Sequence, residues 1–257
     1  MYDIKILGAY GAKSDKGGSS AFYLNEENII DAGNILKPLK EQNAKIKNIW
    51  LTHSHLDHIS DIAYILDNYY ELRTETLTIW GLPETLLTLK KHFFNDEIWP
   101  DFSKIPLNNN SGMSIKYAPL TLNKAYIIGN LTIEAFPTDH TVKSCGYIIT
   151  SQKKSILITA DTHTLTTMIE NVNTHFNIHT IVVECSFPSA MEKLAIDSKH
   201  LTASLLFKNL TPLENKGLRL CINHLKPTYE KIISAEIIDK KGEWDVTILK
   251  DGDSIEF

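Results

Sequence analysis

The sequence predicts one α/β or α+β domain over residues 1–257, with enough strands for two sheets and with helices between them. Short apolar runs bounded by glycine, asparagine or aspartate are typical of strands, whereas apolar residues three or four positions apart are typical of helices. The chain contains no internal repeat and no Gly/Ser-rich linker. Several strand-like runs end in a histidine or a carboxylate. Because loops at the carboxyl ends of strands converge in layered α/β folds, this pattern predicts one shared site there.

The first half of the chain combines short strands with two helices. Strands are predicted for "YDIKILG", "AFYL", "NIIDAG" and "IKNIWL", with the loop "AKSDKGGSS" between the first two. Helical spacing is found in "SDIAYILDNYYEL" (residues 60–72) and in "PETLLTLKKHFF" (residues 83–94), where Pro83 suits a first helical turn. Residues 95–112, "NDEIWPDFSKIPLNNNSG", predict a long aromatic loop.

The second half of the chain predicts two internal hairpins, further strands and one helix. Each of these hairpins joins two apolar runs through a short polar turn, which is Gly-Asn in the first. The predicted elements are the hairpins 125–136 and 146–159, the strands 180–184 and 217–223, the helix 202–210 and a closing hairpin over 245–257.

Composition and charge argue against several classes of protein. Hydrophobic residues make up 43% of the chain and charged residues 22%, as in ordinary globular proteins. The formal net charge of −5 argues against long nucleic acid as a partner, and no apolar run approaches the ~18 residues of a membrane-spanning helix. Three scattered cysteines and an N-terminus without a visible signal peptide predict reduced thiols and a cytoplasmic location. A secreted form whose signal has been removed stays open.

Residues 51–61, "LTHSHLDHISD", carry three histidines directly after a predicted strand. His53 and His55 lie two positions apart, so both side chains can point to one side of an extended chain. Asp57 and His58 follow at the entry of a helix, where they can address a second ion. A polar helix-capping turn is the alternative, but a cap requires one Asp and no histidine. The spacing therefore favours a metal centre.

The other ligands of this centre are expected at the ends of later strands, in "PTDHT", after "SILITA" and in "NHLKP". All candidates are nitrogen or oxygen donors, which suits two divalent cations; this donor set fits Zn²⁺, Mn²⁺ or Fe and does not select among them. We assign His53, His55 and His140 to one cation, Asp57, His58 and His224 to the other, and Asp161 as the carboxylate between them.

Four further histidines are interpreted without a metal role. We expect His92, His175 and His179 on the surface or in loops. His163 follows Asp161 by two residues, and it is a candidate to contact a metal ligand rather than the metal itself.

The H-x-H-x-D-H cluster, with His140, Asp161 and His224 downstream, resembles the metallo-β-lactamase superfamily, whose fold is an αββα sandwich of two mixed β-sheets flanked by helices. Within it, "HSHLDHI", "FFNDEIWPDFSKIP", "ECSFPSAMEKLAIDSKHLT" and "HLKP" are similar to class II cyclic-nucleotide phosphodiesterases, and "GGSSAFYL" and "DAG" fit that family's N-terminal strands. The chain departs from the family at Asp61, where a small residue is common. It also has "ADTH" at residues 160–163, in place of a Gly-Asp-Thr-Gly-like turn.

The resemblance extends to tRNA-processing nucleases, in which a Glu after a strand and a His before Ser/Thr form a proton-donating pair. Glu184 follows "TIVV" and His200 precedes Leu201-Thr202, which implies the same pair here. Cleavage of a cyclic phosphodiester expels a basic alkoxide, and an imidazolium held by a carboxylate can protonate it. A role of His200 as the cap of a helix near Thr202 is the alternative.

The resemblance implies metal-dependent hydrolysis of 3′,5′-cyclic nucleotides (cAMP and/or cGMP) to nucleoside 5′-monophosphates. In this mechanism a metal-bridged hydroxide attacks phosphorus. His200 is expected as the general acid, with Glu184 orienting it, and Asp57 is expected to serve catalysis as well as metal binding.

Trp99 and Phe102 suit an apolar wall against a purine or, equally, a packing or dimer loop, so a homodimer stays open.

Several alternatives remain on the same fold. They are a tRNase Z-like RNA 3′-processing nuclease, a hydrolase of other cyclic phosphodiesters such as cyclic dinucleotides, and an inactive nucleotide-binding protein. The acidic net charge argues against the nuclease, and the set of seven ligands argues against the inactive protein. A lactone or thioester hydrolase is disfavoured by the Glu184–His200 pair. Lys143 and Lys226 are not assigned to the site, because single lysines near a site are more often solvated.

Overall fold

The computed structural model describes residues 2–175, 177–213 and 215–257, and their strands form two seven-stranded sheets. In chain order the strands are β1 Asp3–Gly8, β2 Ala21–Asn25, β3 Asn28–Ile30, β4 Asn48–Trp50, β5 Leu77–Gly81, β6 Ile115–Pro119, β7 Ala125–Ile128, β8 Leu131–Thr138, β9 Ser144–Ser151, β10 Lys154–Ile158, β11 Ile178–Glu184, β12 Arg219–Asn223, β13 Asp245–Ile248 and β14 Ser254–Glu256.

Helices cover both outer faces of the sheets. They are α1 Leu36–Leu39, α2 Leu56–Asn68, α3 Pro83–His92, α4 Thr166–Thr174, α5 Glu192–Asp197, α6 Ala203–Asn209 and α7 Glu230–Lys240, with 3-10 turns at Lys40–Lys45, Tyr70–Leu72, Ser189–Met191 and Pro227–Tyr229. None of the helices in the described ranges is long and apolar enough to cross a membrane.

Each sheet has an antiparallel part and a parallel part. The first sheet runs in the order β14-β1-β2-β3-β4-β5-β6 and is parallel from β3 to β6. The second runs β13-β12-β11-β10-β9-β8-β7 and is parallel from β10 to β13. Because β8 and β10 both pair antiparallel with β9, their carboxyl ends lie at the same edge of the sheet.

Two hydrophobic cores hold the layers together. One joins the inner faces of the sheets and includes Phe22 and Trp50 of the first sheet and Phe136 and Tyr147 of the second, and it continues to the helices behind the second sheet. The other packs α2 and α3 against the outer face of the first sheet. Burial of this apolar surface, at roughly 25 cal/mol per Å², is the main stabilising term. The layer order is therefore helix, sheet, sheet, helix, the predicted αββα sandwich.

Hydrogen bonds between the sheets fix the position of the segment that leads to the histidine cluster. The Tyr147 hydroxyl donates to the carbonyl of Leu51 at 2.7 Å, and the amide of Cys145 donates to the carbonyl of Thr52 at 3.0 Å. These groups are buried, so their pairing satisfies main-chain polar atoms that would otherwise be costly to enclose. The start of "HSHLDH" is thereby tied to β9 of the opposite sheet.

Most predicted elements are confirmed, with one error and with several boundaries shifted by two to four residues. Both internal hairpins form, and Gly129 in the first turn adopts a φ of +59°. The helix predicted from Ser60 begins at Leu56, which places Asp57 in its first turn, where the helix dipole favours a carboxylate.

The predicted closing hairpin over residues 245–257 is wrong. β13 pairs in parallel with β12 in the second sheet, and β14 pairs antiparallel with β1 in the first. The turn between them crosses from one sheet to the other, and the Asp251 carboxylate accepts hydrogen bonds from the amides of Ala9 and Gly18. Local alternation cannot reveal this, because both strands have partners distant in sequence.

Candidate metal centre

Strands from both sheets deliver polar side chains to one edge of the sandwich. β4 of the first sheet leads to the histidine cluster, and four strands of the second sheet end at or just before the remaining candidates. All but two members of the predicted site are buried; His55 and Asp57 are half-buried. The residues delivered at the ends of β4, β8, β10, β11 and β12 are, in that order, His53, His140, Asp161, Glu184 and His224.

Three histidines bring their ring nitrogens together on one side of the site. Nδ1 of His55 lies 3.0 Å from Nε2 of His53 and 3.1 Å from Nε2 of His140. Oδ2 of Asp161 lies 3.7 Å and 3.8 Å from the same two Nε2 atoms. Tetrahedral zinc with Zn–N distances of about 2.0–2.1 Å would hold ligand atoms about 3.3 Å apart, which is close to these separations.

The second group lies on the other side of Asp161. Oδ2 of Asp57 is 3.9 Å from Nε2 of His58 and 3.4 Å from Nε2 of His224. Asp161 reaches this group as well, with Oδ2 3.4 Å from Nε2 of His58 and Oδ1 3.2 Å from Nε2 of His224. The Asp161 carboxylate therefore stands between the two groups.

The site contains buried polar atoms whose partners are missing among the described residues. Both carboxylate oxygens of Asp161, Nε2 of His58 and Nε2 of His224 are fully enclosed, and none makes a hydrogen bond. Burying such groups without a partner costs several kcal/mol each. Converging nitrogen lone pairs and carboxylate oxygens are the chemistry of a cation site, so the residues present fit divalent metal ions.

The outward-facing nitrogens of the ligand histidines are fixed by hydrogen bonds. Nδ1 of His58 donates to Asp31 at 2.7 Å, and Nδ1 of His140 donates to the carbonyl of Lys199 at 3.1 Å. Nδ1 of His53 lies 3.0 Å from the hydroxyl of Thr52, which itself donates to Asp31. With Nδ1–H used in this way, Nε2 of each ring is the atom that faces the centre, the usual arrangement of metal-binding histidines.

The pKa values of the site follow from burial and from close charges. Burial lowers the pKa of His53 well below its usual value and lowers that of His140 to about 4, so both rings are neutral and able to bind metal at neutral pH. Burial alone would raise the pKa of Asp161, but His224 and His58 outweigh it and hold the pKa well below the usual value. The carboxylate therefore stays ionised.

Strained backbone occurs at four positions around the centre. Asp31, Ala160, Lys199 and His224 have φ values of +56°, +55°, +53° and +62°, in the left-handed region that side chains other than glycine rarely adopt. Ala160 occupies the place where the related turn has glycine, and it adopts the conformation that glycine takes without steric cost. Such strained residues are common at functional sites, where surrounding contacts stabilise the unfavourable backbone conformation.

Glu184 and His200 form a buried pair beside the second ligand group. Nδ1 of His200 donates to Oε1 of Glu184 at 2.7 Å, and the amides of Thr162 and Leu201 also donate to this carboxylate. Burial alone would lower the pKa of His200, but the charge of Glu184 outweighs it and raises the pKa. One ring nitrogen of His200 lies within 4.8 Å of ligand atoms of Asp161 and His224, so the pair faces the centre.

The helix-capping role considered for His200 belongs to another residue. The Thr202 side chain is the cap of α6 and accepts a hydrogen bond from the amide of Leu205 at 3.2 Å. The imidazole of His200 is instead turned toward Glu184.

Other candidates from the sequence lie outside the cluster. His163 donates from Nδ1 to the carbonyl of His200 at 2.9 Å, so it supports the main chain of His200 rather than a candidate metal ligand. Trp99 packs edge-on against Tyr64 at 5.6 Å and Phe102 is buried in the core behind the first sheet, which favours the packing interpretation of that loop.

Two residues close to the centre were missed from the sequence. Asp31 orients His58, and the Ser186 hydroxyl donates to Glu184 at 2.7 Å while lying 3.0 Å from Nδ1 of His224. The only signal for Asp31 was its place in "DAG" after a strand, and Ser186 had none.

A sandwich of two mixed sheets with this cluster at its strand ends is the metallo-β-lactamase fold. The metallo-β-lactamase fold protein YhfI from Bacillus subtilis superposes with a TM-score of 0.78 over 100% of both chains at 20% identity. Unliganded yeast PDE1 superposes with a TM-score of 0.81 over 98% of both chains at 22% identity. These structures establish the fold.

Comparison of the sequence with known families narrows the class of protein further. The family model of the class II cAMP phosphodiesterases matches residues 19–236, most of the chain. The 3′,5′-cyclic-nucleotide phosphodiesterase 1 of Saccharomyces cerevisiae is 41% identical over 75 residues, 29% of this chain and only 20% of that protein. A probable 3′,5′-cyclic-nucleotide phosphodiesterase of Yersinia pestis is 23% identical over 286 aligned residues, 90% of this chain and 80% of that one.

The chain belongs to the class II cAMP phosphodiesterase family. This membership confirms the resemblance, the fold class and the enzyme class expected from the sequence.

Proposed function

We propose that this chain hydrolyses 3′,5′-cyclic nucleotides, cAMP or cGMP, to nucleoside 5′-monophosphates, using two divalent cations with zinc as the expected metal. The observation that carries the proposal is the position of Asp161 between two groups of ligand atoms, next to a buried Glu–His pair. Family membership supplies the substrate class, and the arrangement supplies the chemical groups that its hydrolysis needs.

Seven residues would hold the cations, and the short distances between their nitrogen and oxygen atoms support this assignment. His53, His55 and His140 would bind one cation, Asp57, His58 and His224 the other, and Asp161 both. Bound there, the cations would neutralise the phosphoryl oxygens and activate the attacking water.

His200 would act as the general acid. Its Nδ1 is held by Glu184, so the proton on Nε2 is the one available to the substrate. As the P–O3′ bond breaks, its electron pair stays on O3′, and the proton moves from Nε2 of His200 to that oxygen. Water supplies the hydroxide joined to phosphorus, and the other proton of this water passes to solvent. Glu184 keeps the ring oriented and stabilises its positive charge.

Asp57 would contribute both as a metal ligand and as a hydrogen-bond acceptor for a water molecule in the active site. Its carboxylate is about a quarter exposed, in contrast to the enclosed Asp161. Burial alone would raise its pKa, but His58 and His224 outweigh burial and lower it, so the group is ionised and able to orient a water molecule.

The alternatives have less support. An RNA 3′-processing nuclease would need to hold a long polyanion, for which a chain of net charge −5 is poorly suited. An inactive nucleotide-binding protein would not need a carboxylate shared by two ligand groups or a buried acid pair. A homodimer and a cytoplasmic location stay predictions from the sequence.

The experiment is a substrate screen with product identification. Purified protein, stripped with a chelator and reconstituted with Zn²⁺, Mn²⁺ or Fe²⁺, would be incubated with cAMP, cGMP, 2′,3′-cyclic nucleotides and cyclic dinucleotides. We expect 5′-AMP or 5′-GMP from the first two. A preference for cyclic dinucleotides would identify a different substrate for the same chemistry, and cleavage of tRNA precursors alone would favour the nuclease.

A further inference from the structure

Two lysines link the loop after β1 to the segment after β12 in a reciprocal way. Nζ of Lys226 donates to the carbonyl of Gly11 at 2.6 Å, and Nζ of Lys16 donates to the carbonyl of Pro227 at 2.7 Å. Each ammonium thus holds the main chain of the segment that carries the other. As structural links the two lysines are equivalent.

Their electrostatic surroundings differ. The ammonium of Lys16 is neutralised by Glu230 at 3.4 Å. Two other lysines around the centre are also paired, Lys13 with Asp61 and Lys199 with Asp139. Among the described residues, no carboxylate oxygen lies within 4.0 Å of Nζ of Lys226, so its charge is not neutralised by an ion pair.

Lys226 lies directly beside the second ligand group. It follows His224 by two residues, and the glycine whose carbonyl it contacts packs against the ring of that histidine. A Cβ atom added to Gly11 would stand 2.8 Å from Nδ1 of His224. The amide of Lys226 donates to the carbonyl of Ser186 at 3.2 Å, and the hydroxyl of Ser186 lies 3.2 Å from Nδ1 of His200.

An ammonium group has three hydrogens and no acceptor. One hydrogen of Lys226 is used on Gly11, so two remain for an anion. A half-buried, unneutralised lysine at the edge of a phosphodiesterase centre therefore has both the charge and the free donors that a phosphate requires.

We propose that Lys226 binds the phosphoryl group of the nucleotide, and that it contributes more to binding the 5′-monophosphate product than the cyclic substrate. This assignment rests on the proposed function. The cyclic phosphodiester carries one negative charge and the monophosphate close to two, so the attraction to one ammonium grows as the reaction proceeds. Lys226 is then a determinant of product inhibition as well as of affinity for the substrate.

The test compares K226M with K16M, because both remove one main-chain link but only the first removes an unneutralised charge. Binding of 5′-AMP, adenosine and inorganic phosphate to Zn²⁺-reconstituted protein is measured by calorimetry, with thermal unfolding of each variant as a second readout. We expect K226M to weaken 5′-AMP and phosphate binding about 10–100-fold, the usual value of a charge-assisted hydrogen bond, and to leave adenosine binding unchanged. K226R should recover most of the loss, and K16M should bind 5′-AMP like the wild type.

Two results would overturn the assignment. Equal weakening in K226M and K16M would mean that the lysines act only as links, and unchanged 5′-AMP binding in K226M would mean that its ammonium does not reach the phosphate. If K226M unfolds, K226Q and K226R provide the same comparison. Wild-type turnover of cAMP is assayed separately. If the wild type does not turn over cAMP but K226M binds phosphate more weakly, the proposed substrate is wrong and the role of Lys226 stands. If the wild type turns over cAMP but K226M binds phosphate normally, the role of Lys226 alone is wrong.

Discussion

Nδ1 of His200 lies 2.7 Å from Oε1 of Glu184, and both side chains are buried at the edge of the metal-ligand cluster. A buried histidine without a carboxylate would be neutral, because burial disfavours its protonated form. With Glu184 beside it, the pKa of His200 is raised instead. A protonated imidazole is thus held at the edge of the cluster, where we propose that it protonates the leaving oxygen.

The first prediction separates a general acid from a metal ligand. A general acid matters most when the leaving group is a strong base. We expect H200A to lose about 10²–10⁴-fold in kcat on cAMP, whose O3′ alkoxide needs a proton, and far less on bis-(p-nitrophenyl) phosphate, whose nitrophenolate does not. The measurement is kcat for both substrates together with metal content.

T202A is the matched control for this prediction, because Thr202 caps α6 two residues from His200. Loss of the cap should lower the free energy of unfolding by about 1 kcal/mol and leave both activities of the folded protein intact. Equal losses of H200A on the two substrates, at full metal occupancy, would exclude His200 as the acid.

The second prediction concerns the carboxylate between the two ligand groups. D161A should lose bound metal and lower turnover by more than about 10³-fold, because both cations would lose a ligand. D139N is the control: Asp139 is a carboxylate of the same region, but it pairs with Lys199 and is 40% exposed. Metal content by mass spectrometry decides, and two metals per chain with a near-normal rate in D161A would contradict the assignment.

The third prediction tests the support of a ligand histidine. Asp31 accepts a hydrogen bond from Nδ1 of His58 and two from Thr52. D31N should lower metal affinity about 10–100-fold, as is usual when the carboxylate behind a metal-binding histidine is lost. Competition with a chromogenic chelator measures the affinity. An unchanged affinity in a folded D31N protein would show that His58 needs no such support.

The fourth prediction concerns alkaline stability. Burial raises the pKa of Cys145 to about 12 and that of Cys221 to about 11, from an ordinary value near 9. Between these values the unfolded chain releases thiol protons that the folded chain keeps, so the unfolded state binds fewer protons and stability falls as pH rises. We expect the free energy of unfolding in urea to decrease from pH 8.5 to pH 10.

A variant with all three cysteines, Cys145, Cys185 and Cys221, replaced by alanine is the control, and its decrease over this interval should be smaller. In the native wild type the thiols should react slowly with Ellman's reagent at pH 7.5, because all three are buried. Rapid labelling of the native protein, or an equal pH dependence in the variant, would contradict the burial argument.

The metal-ligand candidates could be predicted because residue types that bind metals occur in short, recognisable segments of the sequence. His53, His55 and His58 lie within six residues, and no packing or capping requirement explains three imidazoles after a strand. Asp161 and His224 lie far away in sequence, but each follows a strand, and the topology brings the carboxyl ends of these strands to one edge. The proximity of these side chains follows from the sheet order.

Residues whose roles depend on tertiary contacts could not be predicted in the same way. Ser186 and Asp31 are ordinary turn residues by sequence, and each contacts a candidate ligand histidine only because the strands before the two residues are neighbours in one sheet. The closing hairpin failed for a related reason, since the alternation of residues 245–257 identifies strands but not their partners. Pairing is decided by the register of β1 and β12, which lie elsewhere in the chain.

The most direct test of the central claim is product analysis of cAMP hydrolysis before and after metal removal. The account predicts that the reconstituted protein converts cAMP to 5′-AMP with no 3′-AMP, that chelation abolishes this activity, and that a divalent cation restores it. Incubation in ¹⁸O-labelled water should place one heavy oxygen on the phosphate. Formation of 3′-AMP, turnover that survives complete metal removal, or no turnover with any divalent cation would contradict the account.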